Sequence, residues 1–177
     1  MKFIETPLAG AYVIELDRND DERGFFARSF CRREFEAHGL NVEVAQCNIS
    51  YNERRGTLRG IHYQIRPHAE AKTIRCTSGA MFDVLLDLRP KSPTSKQWFG
   101  IELSAANYKM VYIPEGVAHG FQTLADRTEV LYQISEFYSP EAARGIRWND
   151  PAFGIKWPLP VAEISAKDSA YQDFREY

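Results

Sequence analysis

The sequence predicts an all-β protein, a sandwich or barrel of many short strands with few, short helices. Short apolar runs recur along the chain with turn residues between them at close spacing, a pattern unlike alternating strand and helix. Aromatic residues make up 13%, a share that favours strands. The candidate strands in order are Tyr12–Leu16, Phe25–Phe30, Glu43–Ser50, Thr57–Gln64, Thr73–Thr77, Ala80–Leu88, Gly100–Leu103, Met110–Ile113, Gly120–Leu124 and Glu129–Ser135. Arg23-Gly24, Ser78-Gly79, Pro90–Pro93, Ala105–Asn107 and Pro114–Gly116 supply the turns between them. Arg32–His38 is a helix candidate, and the tail after Ser165 holds another, with Ser165 as N-cap and Asp168 three residues on.

The 177 residues carry 22 Lys and Arg against 24 Asp and Glu, a formal charge of −2. That length fits one domain over 1–177, without internal repeats or a linker. Near-neutral charge and a pI of about 6.1 exclude a dedicated nucleic-acid binder with a basic face. No apolar run suits a signal peptide or a membrane span. Cys31, Cys47 and Cys76 lack CxxC spacing and read as reduced thiols of a cytoplasmic chain.

Arg54 to Cys76 is the richest segment, with Arg54, Arg55, Arg59, Arg66, Lys72 and Arg75 against Glu70 alone. Arginine forks suit phosphate oxygens, and a lysine suits a developing oxyanion. The plain alternative is a solvated basic strand edge. In strict alternation His62 and Gln64 share one face and Arg59 takes the other, so a common ligand needs a bend, a twist or a second subunit. His62 is the first candidate base, His119 a second, and His38 and His68 read as surface groups. Asp83 and Asp87 fall on one face of their strand, as a wetter face or with Asp83 orienting a catalytic partner.

GTLRGIHYQ followed by PEGVAH resembles the two motifs of the cupins, whose architecture is a jelly roll, a double-stranded β-helix. Many cupins hold a metal through an H-x-H pair, a carboxylate and a further histidine. Gln64 stands where the second histidine belongs, and this ligand deficit weighs against a metal site built on His62, Glu70 and His119.

RGFFARSF, QCNIS, GTLRGIHYQ, Lys72, FDVLLDLRPKSPT, IPEGVAHGFQTL, Tyr132, Tyr138, IRWNDPAFGIKWP and SAKD occur in this order over nearly the whole chain. Together they resemble the dTDP-4-dehydrorhamnose 3,5-epimerases. The resemblance implies a cupin-type jelly roll and a homodimer. It also implies no metal or redox cofactor, and a nucleotide-diphosphate-linked 4-keto-6-deoxy sugar as substrate. It implies His62 as base with Asp168 hydrogen-bonded to it, Tyr132 as acid, and Lys72 at the 4-oxygen. His119 would contact the sugar, Arg23 and Arg59 the diphosphate, Tyr138 the base, Gln46 and Asn48 the nucleotide, and Lys167 the ligand.

Arg28, Cys47 and Ala143 depart from that likeness, because relatives carry glutamate, aspartate and glutamate there. Arg28, counted with the substrate-binding set, donates where a carboxylate accepts. These departures keep CDP- and GDP-linked keto-sugars beside a dTDP-linked one. A 3- or 5-only epimerase and a 3,4-ketoisomerase also stand beside the double epimerase, because these residues do not fix which centres invert and enolisation also starts ketone migration. A metal-dependent cupin enzyme and a non-catalytic sugar-nucleotide binder are the rivals from other classes.

Overall fold

In the computed structural model, residues 1–175 are described; Glu176 and Tyr177, the end of the expected domain, lie outside them. The chain runs β1 (Lys2–Glu5), β2 (Tyr12–Glu15), β3 (Arg18–Asp21), β4 (Gly24–Ala27), α1 (Arg32–Ala37), β5 (Gln46–Asn52), β6 (Thr57–Gln64) and β7 (Lys72–Ser78). It continues through β8 (Ala80–Asp87), β9 (Trp98–Ser104), β10 (Met110–Ile113), β11 (Val117–Thr123), β12 (Thr128–Ile134), β13 (Ala143–Gly145), β14 (Glu163–Ile164) and α2 (Ala166–Ser169). One sheet has the order β1-β2-β10-β7-β12-β5, the other β13-β6-β11-β8-β9 with β14 beside β6, and β3–β4 form a separate hairpin. The non-consecutive neighbours within two facing sheets make this a jelly roll of the cupin type.

Period-two alternation decides what lies between the sheets. Ile74, Cys76 and Val130 of the first meet Met81, Leu85, Val117 and Phe121 of the second in one buried cluster. Each such side chain contributes about 1.5–3 kcal/mol by leaving water. The outer face of the first sheet is covered by Phe35 of α1, packed with Ile14, Met110 and Tyr112. Phe153, Trp157 and Phe174 from the C-terminal third cover the other sheet's outer face at Ile61, Leu86 and Ala118.

The predicted bounds of β6 and β10 agree with the structure, and most others shift by a few residues. Phe25–Phe30 shortens to Gly24–Ala27, the stretch that pairs with β3. The strand expected from Glu43 begins at Gln46, where pairing with Ile134 starts. Asp83 and Asp87 share a face as expected, but that face is fully buried rather than wet. Asp87 is satisfied by Arg89, Ser92 and Thr94 of the PKSPT turn, at 2.5–2.8 Å. Burial works to raise its pKa, yet these donors hold it at about 2. The basic stretch is no strand edge either, since β6 and β7 both lie inside their sheets.

The break in alternation that Arg59 and His62 require is present. His119 of β11 pairs with His62 and Phe121 with Arg59, so three steps along β6 face two along β11. The extra residue is a bulge, and it reverses the faces of β6 on either side. Gly60 makes it sterically possible: its φ is +107°, and a Cβ there would lie 2.7 Å from the Gly120 Cα and 2.8 Å from the His119 carbonyl oxygen. Gly60→Ala is therefore expected to lower unfolding free energy by about 3 kcal/mol. Gly39→Ala, at φ +68° with nothing within 4 Å, is expected to lose about 1 kcal/mol. Urea unfolding of the two variants checks the contrast.

Candidate active site

A cavity of about 970 Å³ lies between the sheets, and both supply its walls. β5 alternates in reverse of an ordinary surface strand. Its polar Gln46, Asn48 and Ser50 line cavities, while Tyr51 is 50% exposed and Ile49, which also borders the larger cavity, is 66% exposed. β12 supplies Tyr132, β7 Lys72, β6 Arg59 and His62, β11 His119, and α2 Lys167 and Asp168. A connected space of about 280 Å³ shares His62, Lys72 and Lys167 and adds Gln46, Gln64, Tyr138 and Ala143.

His62 Nε2 lies 2.7 Å from Asp168 Oδ1. The other carboxylate oxygen accepts the Gly60 N–H at 3.2 Å, and the Asp168 N–H donates to Ser165 Oγ at 3.0 Å, the expected N-cap. Burial pushes the Asp168 carboxyl up, but the hydrogen bond and charge of His62, with the Gly60 and Ser165 bonds, bring it below its ordinary value. An ionised Asp168 accepts a hydrogen bond from Nε2–H, which fixes the tautomer and leaves the Nδ1 lone pair free to accept a proton.

Tyr132 comes from the opposite sheet and stands edge-on to His119, with ring centroids 6.0 Å apart. Burial, reinforced by the charge of Asp83, pushes its phenol well above the ordinary range against the pull of Arg59 and Ser50. It is a proton donor at neutral pH. His119 Nε2 is 2.6 Å from Asp83 Oδ1, so the buried aspartate orients a histidine of the cavity. Lys72 Nζ lies 2.9 Å from Glu70 Oε1 and 3.5 Å from the His62 carbonyl oxygen. Arg59 is aimed by its Nε donating to Asn52 Oδ1 at 2.6 Å and its Nη2 to the Tyr51 carbonyl at 3.3 Å.

A carboxylate-held imidazole, a protonated phenol from the facing sheet and an ammonium beside them suit proton transfer at carbon next to a carbonyl. Arg59 and Lys167 add positive charge to the same cavity, of the kind that suits phosphate oxygens. Tyr138 is 60% exposed at the smaller space, its N–H donating to Gln46 Oε1 at 3.1 Å.

Arg23 and Arg28 are not brought to the cavity by this chain. Arg23 lies between β3 and β4 and pairs with Asp21, and Arg28 pairs with Glu34. Of the three departures from the family pattern only Ala143 lines a cavity; Cys47 is exposed on the outer face of β5. Gln64 is a staple between loops, donating to the His68 and Phe137 carbonyls and accepting from the Ser139 N–H. Among the described residues, no group of three or more His, Cys, Asp and Glu is arranged to hold a metal ion. His38 is exposed against Phe3, whereas His68, expected at the surface, is half-buried. Asn52 and Tyr171, which packs edge-on against His62, went unmarked in the sequence because neither lies in a motif.

The profile of the family described as dTDP-4-dehydrorhamnose 3,5-epimerase matches residues 5–176. The chain belongs to this family. The dTDP-4-dehydrorhamnose 3,5-epimerase of Shigella flexneri is 43% identical, covering 98% of this chain and 96% of that protein. A crystal structure of the Bacillus anthracis dTDP-4-dehydrorhamnose 3,5-epimerase with TDP and PPi bound is similar at a TM-score of 0.94 and 40% identity, over 98% of this chain and 99% of that one. The dTDP-6-deoxy-D-glucose-3,5-epimerase of Legionella pneumophila, in complex with dTDP-4-keto-L-rhamnose, is similar at 0.88 and 37%, over 96% and 90%.

The lowered pKa of Asp168 in this epimerase-family site has a measurable sign. A carboxyl lowered on folding stabilises the fold above its ordinary value, 3.8, and that stabilisation is lost as pH falls through the folded value. Urea unfolding between pH 6 and about 2 is expected to show this acid loss in the wild type and a shallower loss in Asp168→Asn.

Proposed function

We propose that this chain epimerises a dTDP-linked 4-keto-6-deoxyhexose at C3 and C5 through an enolate, converting a dTDP-4-dehydro-6-deoxy-D-glucose to the dTDP-4-dehydro-L-rhamnose type. The observation that carries this reading is the pairing of His62 with Asp168 at 2.7 Å in a cavity that also holds Lys72 and Tyr132. Family membership and the dTDP-sugar bound by the Legionella relative support the substrate class.

A C4 ketone acidifies the hydrogens on C3 and C5, because the carbanion left behind delocalises onto oxygen. His62 Nδ1 takes the proton, and Asp168 stabilises the imidazolium that forms. Lys72 holds the negative charge as it gathers on the 4-oxygen; a donor of this kind is worth about 2.7–4 kcal/mol of barrier. Tyr132 returns a proton to the opposite face, which inverts the centre; it then regains a proton from solvent while His62 gives its proton up to solvent, restoring both groups. The chain's own side chains thus carry each proton. His119 contacts the sugar, and Arg59 the diphosphate. Gln46, Asn48 and Lys167 contact the nucleotide portion, with Tyr138 under the base.

We further read the chain as one domain working as a homodimer. Asp168, near the C-terminus, completes His62 in the middle of the chain, which supports a single folding unit. Phe26, 75% exposed on β4, and the exposed Ile49 and Tyr51 of β5 support an interface between copies. An N-terminal hairpin reaching the partner would bring Arg23 and Arg28 to its cavity. Among the described residues no helix is long and apolar enough to cross a membrane.

NMR in heavy water with dTDP-4-keto-6-deoxyglucose tests the chemistry. Wild type is expected to place deuterium at C3 and C5 and invert both. His62→Ala is expected to lower exchange about 10²–10⁴-fold, and Tyr132→Phe to keep exchange while slowing inversion. Undiminished exchange in His62→Ala removes the base. Sedimentation is expected to find a dimer, and Arg23→Ala to raise KM more than it lowers kcat.

A further inference from the structure

Gly145 is the register partner of His62 across β13 and β6. A Cβ built on it would lie 2.0 Å from Cζ, 2.1 Å from Cε2 and 2.6 Å from Cε1 of Tyr171, so the space of a side chain opposite His62 is filled by that ring. The same ring meets the His62 imidazole edge-on, with centroids 6.1 Å apart and planes at 73°. Tyr171 stands three residues beyond Asp168, so one short segment supplies both neighbours of the imidazole.

That segment is fixed at both ends. Ser165 caps α2 before it. After it, the Phe174 N–H donates to Oδ2 of buried Asp150 at 2.6 Å, the Phe174 ring packs on Phe153 at 5.2 Å, and Asp173 pairs with Arg147. A single hydrogen bond to Asp168 fixes one ring nitrogen but leaves the imidazole able to swing about that contact. A wall against the ring removes this freedom, and reacting groups displaced by about 1 Å lose about 10²-fold in rate.

We infer that Tyr171 is a positioning residue, whose ring, seated in the gap left by Gly145, holds the plane of His62 so that Nδ1 faces the sugar carbon while Nε2 stays on Asp168. The inference rests on the epimerase reading above. Lys167, Asp168 and Tyr138 lie within electrostatic reach of its hydroxyl, but the assigned role belongs to the ring.

Two substitutions act on this contact from opposite sides: Tyr171→Ala removes the ring, and Gly145→Ala pushes it away. Each is expected to lower kcat about 10- to 100-fold with KM within about twofold of wild type, since neither touches the nucleotide. Tyr171→Phe is expected to keep kcat within about twofold. In the Tyr171→Ala background Gly145→Ala is expected to add almost nothing, because the ring it displaces is gone. Urea unfolding confirms the fold of each variant, and Tyr171→Leu, which keeps volume without a flat wall, replaces Tyr171→Ala if that variant unfolds.

Additive losses from the two substitutions, an unchanged kcat in Tyr171→Ala, or a Tyr171→Phe as slow as Tyr171→Ala would each overturn the inference. The His62 ring proton resonances give a readout separate from turnover: they are expected to shift in Tyr171→Ala and Gly145→Ala and to hold in Tyr171→Phe. A wild type that does not turn over the keto-sugar defeats the epimerase reading, and the resonances then still decide where the ring sits.

Discussion

One extra residue in β6 organises the site. A regular strand would send Arg59 and His62 to opposite faces, leaving the guanidinium in one compartment and the imidazole in another. The bulge opposite β11 reverses the faces after Gly60, and both side chains enter the same cavity. Gly60 and Gly120 let the two backbones approach where any Cβ would collide. The Gly60 N–H also donates to Asp168, so the residue that bends the strand helps hold the carboxylate paired with His62.

Charge is managed by pairing throughout the space between the sheets. Asp168 is held by His62, Asp83 by His119, and Glu70 by Lys72. A buried ion without a partner would shed its charge or destabilise the fold. Here each pair also aims a group at the cavity. The same burial that makes these pairs necessary keeps the phenol of Tyr132 protonated beside them. Thiol chemistry plays no part in this set: Cys76 is buried among the core residues, and burial pushes its thiol up to about 11.

Strand identity was legible wherever a short apolar run met a clear turn, as at Met110–Ile113 before Pro114. The N-cap Ser165 and the pairing of Asp168 with His62 followed from family likeness and local capping chemistry. The bulge was not legible, because it depends on how β11 lies against β6, a long-range contact. Arg18–Asp21 is a strand of four exposed polar residues with no apolar alternation to mark it. Asp83 looked like a wet-face residue because nothing local announces that His119 reaches it from β11. Gln64 looked like a substituted metal ligand, whereas its amide is spent on three backbone groups, one on nearby His68 and two far along the chain on Phe137 and Ser139. Arg23 matches a family position and Arg28 departs from one, yet within this chain both are spent on nearby carboxylates away from the cavity.

The central claim is geometric: an imidazole and a phenol from facing sheets address opposite faces of one sugar ring. A crystal structure of the protein with dTDP-4-keto-L-rhamnose bound tests it most directly. The account predicts the hexose between His62 and Tyr132, its 4-oxygen toward Lys72 and its diphosphate on Arg59. A ring with both groups on the same face, or a sugar bound outside the cavity, would contradict it.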